Sequence, residues 1–380
     1  MNISVCKFSI LLVTMSLLAA CRQGLETIVP SVQTSVPAEY IDSLEGMYLL
    51  NQGNMGTNKS TLDYLDFAQG IYNKNIFASR NPHVVGELGD VGNDMELYGS
   101  RLYAVINCSN YVEVMNADNA CHQTQITVPN GRNIICHGGY VYVSSYAGPV
   151  NLDPNARRGI VVKIDTVSMQ IVDSCLVGYQ PDGMGISAGK LYVANSGGYR
   201  VPNYDRTVSV IDLDTFEEIR QIDVALNLND VETDRYGRVY VSSRGDYYNN
   251  HSKIYIIDSS VDMVTDSIDV SCADMTVLGD SLYIVDSEFN YAIGMKSASY
   301  AIYNVVNRNL DTDNFISDGT QYSISMAYAI AVNPVTHCIY ITDAKDFVTP
   351  GMLYCYSPQG KLMWKVITGD IPACMAFLKR

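Results

Sequence analysis

The chain has 380 residues, 47% of them hydrophobic and 17% charged, which excludes a disordered polypeptide and leaves ample apolar material for a core. With 25 Lys and Arg against 40 Asp and Glu the formal net charge is −15, so the protein repels phosphate backbones and nucleic acid is excluded as a partner. Tyr supplies 28 residues against 8 Phe and 1 Trp, a balance that favours half-buried strands and ligand-gripping surfaces over helix.

At the amino terminus Lys7 precedes an apolar run from Phe8 to Ala20, too short to cross a bilayer as a helix but suited to a signal-peptide core. The run ends in Leu18-Ala19-Ala20-Cys21, which resembles the lipobox of bacterial lipoproteins. Residues 1–20 are therefore expected to be removed and Cys21 to be acylated, anchoring the protein to a membrane without a spanning helix. Residues 21–45 are polar, carry Pro30 and Pro37, and show no sustained period; they are expected to form a flexible tether. The eight Cys after Cys21 include no Cys-x-x-Cys pair, so zinc-type spacing is absent, and those inside strand-like runs are expected to be buried free thiols.

From residue 46 onward one pattern returns seven times: Tyr48, Tyr103, Tyr142, Tyr192, Tyr240, Tyr283 and Tyr340 each sit between apolar residues in a short strand-like run. Their spacings average about 49 residues, and a repeat of that length with several strands per unit predicts a β-propeller. The fourth unit shows all four strands: residues 183–186, 191–196, 207–212 and 218–224. Strands one and two join at Gly-containing turns such as Ala188-Gly189-Lys190; strands three and four join at turns such as Asp165-Thr166-Val167-Ser168, whose Asp is expected to cap the turn. The first unit starts at its second strand, and residues 369–378 resemble the lead-in to a first strand. The expected fold is therefore all-β: a seven-bladed β-propeller of four-stranded antiparallel blades over 46–380, its ring closed by the C-terminal strand joining blade one.

In such a ring the loops after strands two and four share one face, and here they are the long ones. They gather Tyr146 and Arg157 in blade three; Tyr199, Tyr204 and Arg206 in blade four; Arg244, Tyr247 and Tyr248 in blade five; Phe289 and Tyr291 in blade six; and Phe347 in blade seven. Aromatic planes beside Arg forks suit a large amphipathic ligand bearing amide or phosphate groups, or a protein partner. Nucleophile elbows, phosphate loops and metal-type His spacings are absent, so no catalytic or metal-ligating residue is assigned. The sharpest enzymatic pairing is His251 with Glu288, of the kind a propeller lyase would need.

The segments 191–198 (LYVANSGG), 207–212 (TVSVID), 240–245 (YVSSRG), 331–334 (AVNP) and 356–361 (YSPQGK), together with the lipobox, resemble the YncE-like seven-bladed propeller lipoproteins of Bacteroides. Within that family the BtuG-type proteins are the nearest group with a known task, and the resemblance implies a non-enzymatic lipoprotein of the outer membrane, exposed at the cell surface. It would capture a corrinoid (vitamin B12) on its loop face for delivery to a TonB-dependent transporter, with no cofactor other than cobalamin as bound ligand. Relatives often carry Trp where this chain has Phe289. The alternatives are a protein-protein adaptor of an outer-membrane uptake complex and a propeller lyase.

Overall fold

The computed structural model describes residues 32–84, 87–290 and 295–380, with the side chains of 288–290 and 295–297 excepted. The signal segment, Cys21 and Tyr291 lie outside the described residues, as do the side chains of Glu288 and Phe289.

Seven antiparallel sheets form a ring, each sheet one blade with its first strand innermost and its fourth outermost. In blades two to seven the four strands are consecutive in the chain; blade four, for example, runs Pro181–Ser187, Lys190–Asn195, Thr207–Asp212 and Glu218–Asp223. Blade one is completed from the other end of the chain. Pro372–Lys379 lies antiparallel against Leu44–Asn51, pairing Tyr48 with Ala376 and Leu49 with Met375, so the ring is closed by main-chain hydrogen bonds rather than by a loop.

The repeated Tyr follows from the position of the second strand, which lies in mid-blade with a neighbouring sheet over each face. Tyr48, Tyr103, Tyr142, Tyr192, Tyr240 and Tyr340 are at most 2% exposed, and each contributes about 2–3 kcal/mol through ring burial. In three of them the hydroxyl at the end of the ring finds an acceptor: Tyr48 donates to the Ala117 carbonyl of blade two at 2.7 Å, Tyr192 to Asp262 of blade five, and Tyr240 to Asp234 at 2.9 Å. Tyr283 is the exception, half-buried in blade six.

The turns behave as their residues dictate. Ala188 and Gly189 both take positive φ (51° and 73°), the requirement of a two-residue hairpin turn whose twist matches its strands. Asp165 accepts the amides of Val167 and Ser168 at 3.1 and 2.7 Å, and Asp212 that of Thr215 at 2.9 Å, so these carboxylates cap turns.

The segment expected as a tether is held against the blade from Gln33 onward. Gln33–Ser35 pairs with Ile71–Asn73 as a fifth strand of blade one, the Val36 amide donates to Gly70, and Ile41 and Leu44 are buried. Ile71–Asn73 is only three residues long; covering its outer edge removes a row of unpaired main-chain groups. All eight described Cys are free thiols, with Cys175, Cys272, Cys338 and Cys355 buried.

Candidate functional site

The innermost strands decide what the propeller axis presents. Each is an edge strand, so main-chain groups pointing away from its partner face the channel and need acceptors or donors there. Three first strands carry an Asp that reaches the next blade: Asp94 accepts the Ile134 amide at 3.0 Å, Asp230 that of Met275 at 3.1 Å, and Asp274 that of Ile330 at 2.7 Å. One turn of the pleat further down, Glu96 accepts the Cys136 amide at 2.7 Å. Burial raises the pKa of Asp94, Asp230 and Asp274, the Asp94 charge adding to it at Asp230 and the Asp230 and Asp94 charges at Asp274, and burial together with the Asp94 charge pushes Glu96 to about 8. These carboxyls stitch blades together.

One residue earlier in the same strands lies the rim of an axial cavity of about 420 Å3. All seven blades supply it, six through their first strands (Asn93, Arg132, Asp182, Asn229, Tyr328 and Ala373) and blade six through Ala273, the residue just before its first strand. Loops after second strands add Gln52, Arg244, Tyr247 and Phe347, so the cavity opens on the face of the long loops.

The electrostatic centre of this mouth is Asp182, which is 2% exposed. Arg132 Nε donates to its Oδ1 at 3.0 Å, Arg244 Nη1 to its Oδ2 at 3.0 Å, and the Tyr146 hydroxyl to Oδ1 at 3.1 Å. Burial opposes its ionisation, but the two guanidinium charges outweigh burial and hold the carboxyl below the usual range. Each Arg is fixed a second time, Arg132 over the Tyr146 ring at 4.9 Å and Arg244 by Nη2 donating to Asn229 Oδ1. Opposite this charged sector the wall is aromatic: Tyr328 and Phe347 meet edge to face at 5.8 Å, and the Tyr328 hydroxyl donates to Gln52 Oε1 at 2.9 Å.

Of the loop residues expected to bind ligand, Arg244, Tyr247 and Phe347 line the axial cavity. Tyr146 stands behind its wall, bonded to Asp182, and Tyr199 meets Tyr146 edge-on at 6.2 Å. Tyr146 also lines a side cavity of about 290 Å3 together with the exposed Arg157. Tyr204 lines another of about 370 Å3 with Arg158 and Arg200. Arg206, ion-paired to Asp223, lines a third of about 430 Å3 that also contains His251. Tyr248 is 57% exposed on the blade-five loop. The loop residues are thus divided among four cavities instead of ringing one mouth, because neighbouring loops also meet each other, as where the Asp153 amide of blade three donates to the Tyr199 carbonyl of blade four. His251 lines a side cavity and is not among the residues lining the axial one, and Glu288 falls outside the described side chains.

Arg132 and Asp182 escape a search confined to loops because they belong to first strands. A signal for them exists: the frames Asn93-Asp94-Met95, Arg132-Asn133-Ile134, Asp182-Gly183-Met184, Asn229-Asp230-Val231, Ala273-Asp274-Met275, Tyr328-Ala329-Ile330 and Ala373-Cys374-Met375 share an apolar third residue. Aligned on it, the first residue of each frame is the rim and the second the carboxylate level beneath.

Among solved structures the chain is similar to a quinonprotein alcohol dehydrogenase-like protein from Bacteroides thetaiotaomicron, with 15% identity over 88% of this chain and 78% of that one and a TM-score of 0.59. It is also similar to a chain of Kuenenia stuttgartiensis hydrazine synthase, with 14% identity over 75% of this chain and 89% of that one and a TM-score of 0.57. No protein-family model matches the chain, and no curated protein is similar to it in sequence. At these identities the likeness is one of fold: the chain is a seven-bladed β-propeller.

Proposed function

We propose that the protein is a non-catalytic capture propeller that takes a large amphipathic, amide-bearing small molecule at its axial mouth, with a corrinoid as the ligand. The observation that carries this reading is the arrangement around Asp182: fixed Arg forks from two blades face an aromatic wall across a cavity to which all seven blades contribute. A mouth of this kind offers preorganised donors on one side and apolar planes on the other, which is what an amphipathic ligand requires. A corrinoid exceeds about 420 Å3, so it would lie across the rim with one edge entering the cavity.

In this reading acylation of Cys21 anchors the protein at the outer membrane, and a TonB-dependent transporter receives the ligand. One observation supports a protein partner on the same face. Exposed apolar side chains stand at loop positions of five blades, Met55 (64%), Leu152 (74%), Val201 (45%), Tyr248 (57%) and Val348 (69%), surrounding the mouth with surface suited to docking.

Calorimetric titration with cyanocobalamin tests the ligand assignment. Saturable heat with one site per chain, reduced in Tyr247→Ala and Phe347→Ala, is the expected result. No heat and no change in the visible corrin bands at micromolar protein would remove the corrinoid assignment.

A further inference from the structure

The Arg132, Asp182 and Arg244 group holds two guanidiniums against one carboxylate, and its hydrogen bonds leave donors over. Arg132 uses Nε on Asp182 and Nη1 on Asn93 at 3.5 Å; Arg244 uses Nη1 on Asp182 and Nη2 on Asn229. Among the described residues no hydrogen bond engages Arg132 Nη2 or Arg244 Nε, and both side chains line the open cavity, 15% and 31% exposed. A guanidinium offers five N–H donors in a rigid fork matched to a carboxylate or phosphate edge.

The other carboxyls of the cavity stand apart from this group. Asp274 and Asp286 line it from blade six, while Asp94 and Asp230 lie one level below the rim. Asp94, Asp230 and Asp274 are each already engaged by a main-chain N–H of the following blade, and burial raises their pKa, that of Asp230 to about 6. Within the group itself two guanidiniums face one carboxylate, so Arg132, Asp182 and Arg244 together carry one positive charge in excess. Its forks are already immobilised by Tyr146, Asn93 and Asn229, so little side-chain entropy remains to be lost on binding.

We propose that Arg132 and Arg244 form an oxyanion subsite at the axial mouth, taking a carboxylate or phosphate group of the captured ligand on the N–H groups that Asp182 leaves free. This deepens, and rests on, the reading of the mouth as the capture site. It also assigns Asp182 a second role beyond tying blades three, four and five: as an internal anion it sets how strongly the forks attract an external one.

That second role supplies the test, because a purely structural ion pair cannot gain affinity when it is weakened. Inorganic phosphate and, separately, acetate are titrated calorimetrically into the wild-type protein, Asp182→Asn, and the neutralised triple variant Arg132→Gln/Asp182→Asn/Arg244→Gln, with circular dichroism as the check on folding. The expected result is weak binding to wild type, about tenfold tighter binding to Asp182→Asn, and none to the triple variant. Preference for phosphate or for acetate identifies which group the ligand carries, and binding of either supports the subsite. If Asp182→Asn does not fold, Arg244→Lys takes its place: it keeps the charge, loses the fork, and should weaken binding about fivefold. Folded wild type and Asp182→Asn that both ignore phosphate and acetate would overturn the proposal, as would undiminished binding to the triple variant, which would mean an adventitious ion only.

Cyanocobalamin titrated into the same variants separates this proposal from the one beneath it. Corrinoid binding that is equal in wild type and triple variant leaves capture standing and removes the oxyanion subsite. Phosphate binding at the forks without corrinoid binding leaves the subsite standing and removes the ligand assignment.

Discussion

Two levels of the same seven strands meet opposite fates. At the rim, Asp182 and Arg132, joined by Arg244 from the blade-five loop, satisfy one another side chain to side chain and line the cavity. One residue deeper, Asp94, Asp230 and Asp274 are spent on main-chain amides of the neighbouring blade. The difference shows that a charge on a propeller axis is not in itself a binding group: what matters is whether the edge-strand backbone has already claimed it.

The comparison is broken most forcefully at Asp182. Asp182→Ala leaves two guanidiniums and the Tyr146 hydroxyl without their shared acceptor, and should cost about 3–5 kcal/mol in a urea melt. Asp274→Asn one level down retains an acceptor for the Ile330 amide and should stay within about 1 kcal/mol of wild type. Equal losses would erase the distinction between the levels.

Ligand affinity probes the rim next. Arg244→Ala should weaken cyanocobalamin binding by about 1.5–3 kcal/mol, the worth of a charged hydrogen-bond donor. Phe347→Ala, which removes one ring of the aromatic wall, should cost about 1 kcal/mol.

A smaller effect sharpens the lower level through pH. Glu96 titrates at about 8 in the fold against an ordinary 4.5, because burial and the Asp94 charge disfavour its ionised form. Between those two values the folded protein holds a proton that the unfolded chain has lost, so this group's contribution to stability falls as pH rises from about 4.5 to about 8. Glu96→Gln should therefore gain stability relative to wild type across that window in melts at pH 5, 7 and 9. Asp182 has the opposite sign: its lowered pKa contributes stability above the ordinary carboxylate range that is lost as pH falls through its folded value.

The fold was legible because burial repeats a letter. Mid-blade strands are covered on both faces, and a ring with a polar tip suits that position in six of seven blades, so Tyr marked the period. Ring closure was legible too, since residues 369–378 have no other partner to complete. The site was only half legible. Arg244, Tyr247 and Phe347 lie on long loops, where a search for recognition begins, but Asp182 and Arg132 occupy strand positions at which every blade places a different residue. Only the apolar residue two places further on is shared. Loop length alone does not say which cavity a residue joins: Arg157, Tyr204 and Arg206 sit on long loops and line side cavities, two of them built from neighbouring blades, whereas Arg244 and Tyr247 line the axial one.

The central claim is a place, the axial mouth, and crystallography of the protein with cyanocobalamin tests it most directly. The expected result is corrin density across the rim within hydrogen-bonding distance of Arg132 or Arg244 and in contact with Phe347. Density confined to a side cavity, or to the face of the tight turns, would contradict it.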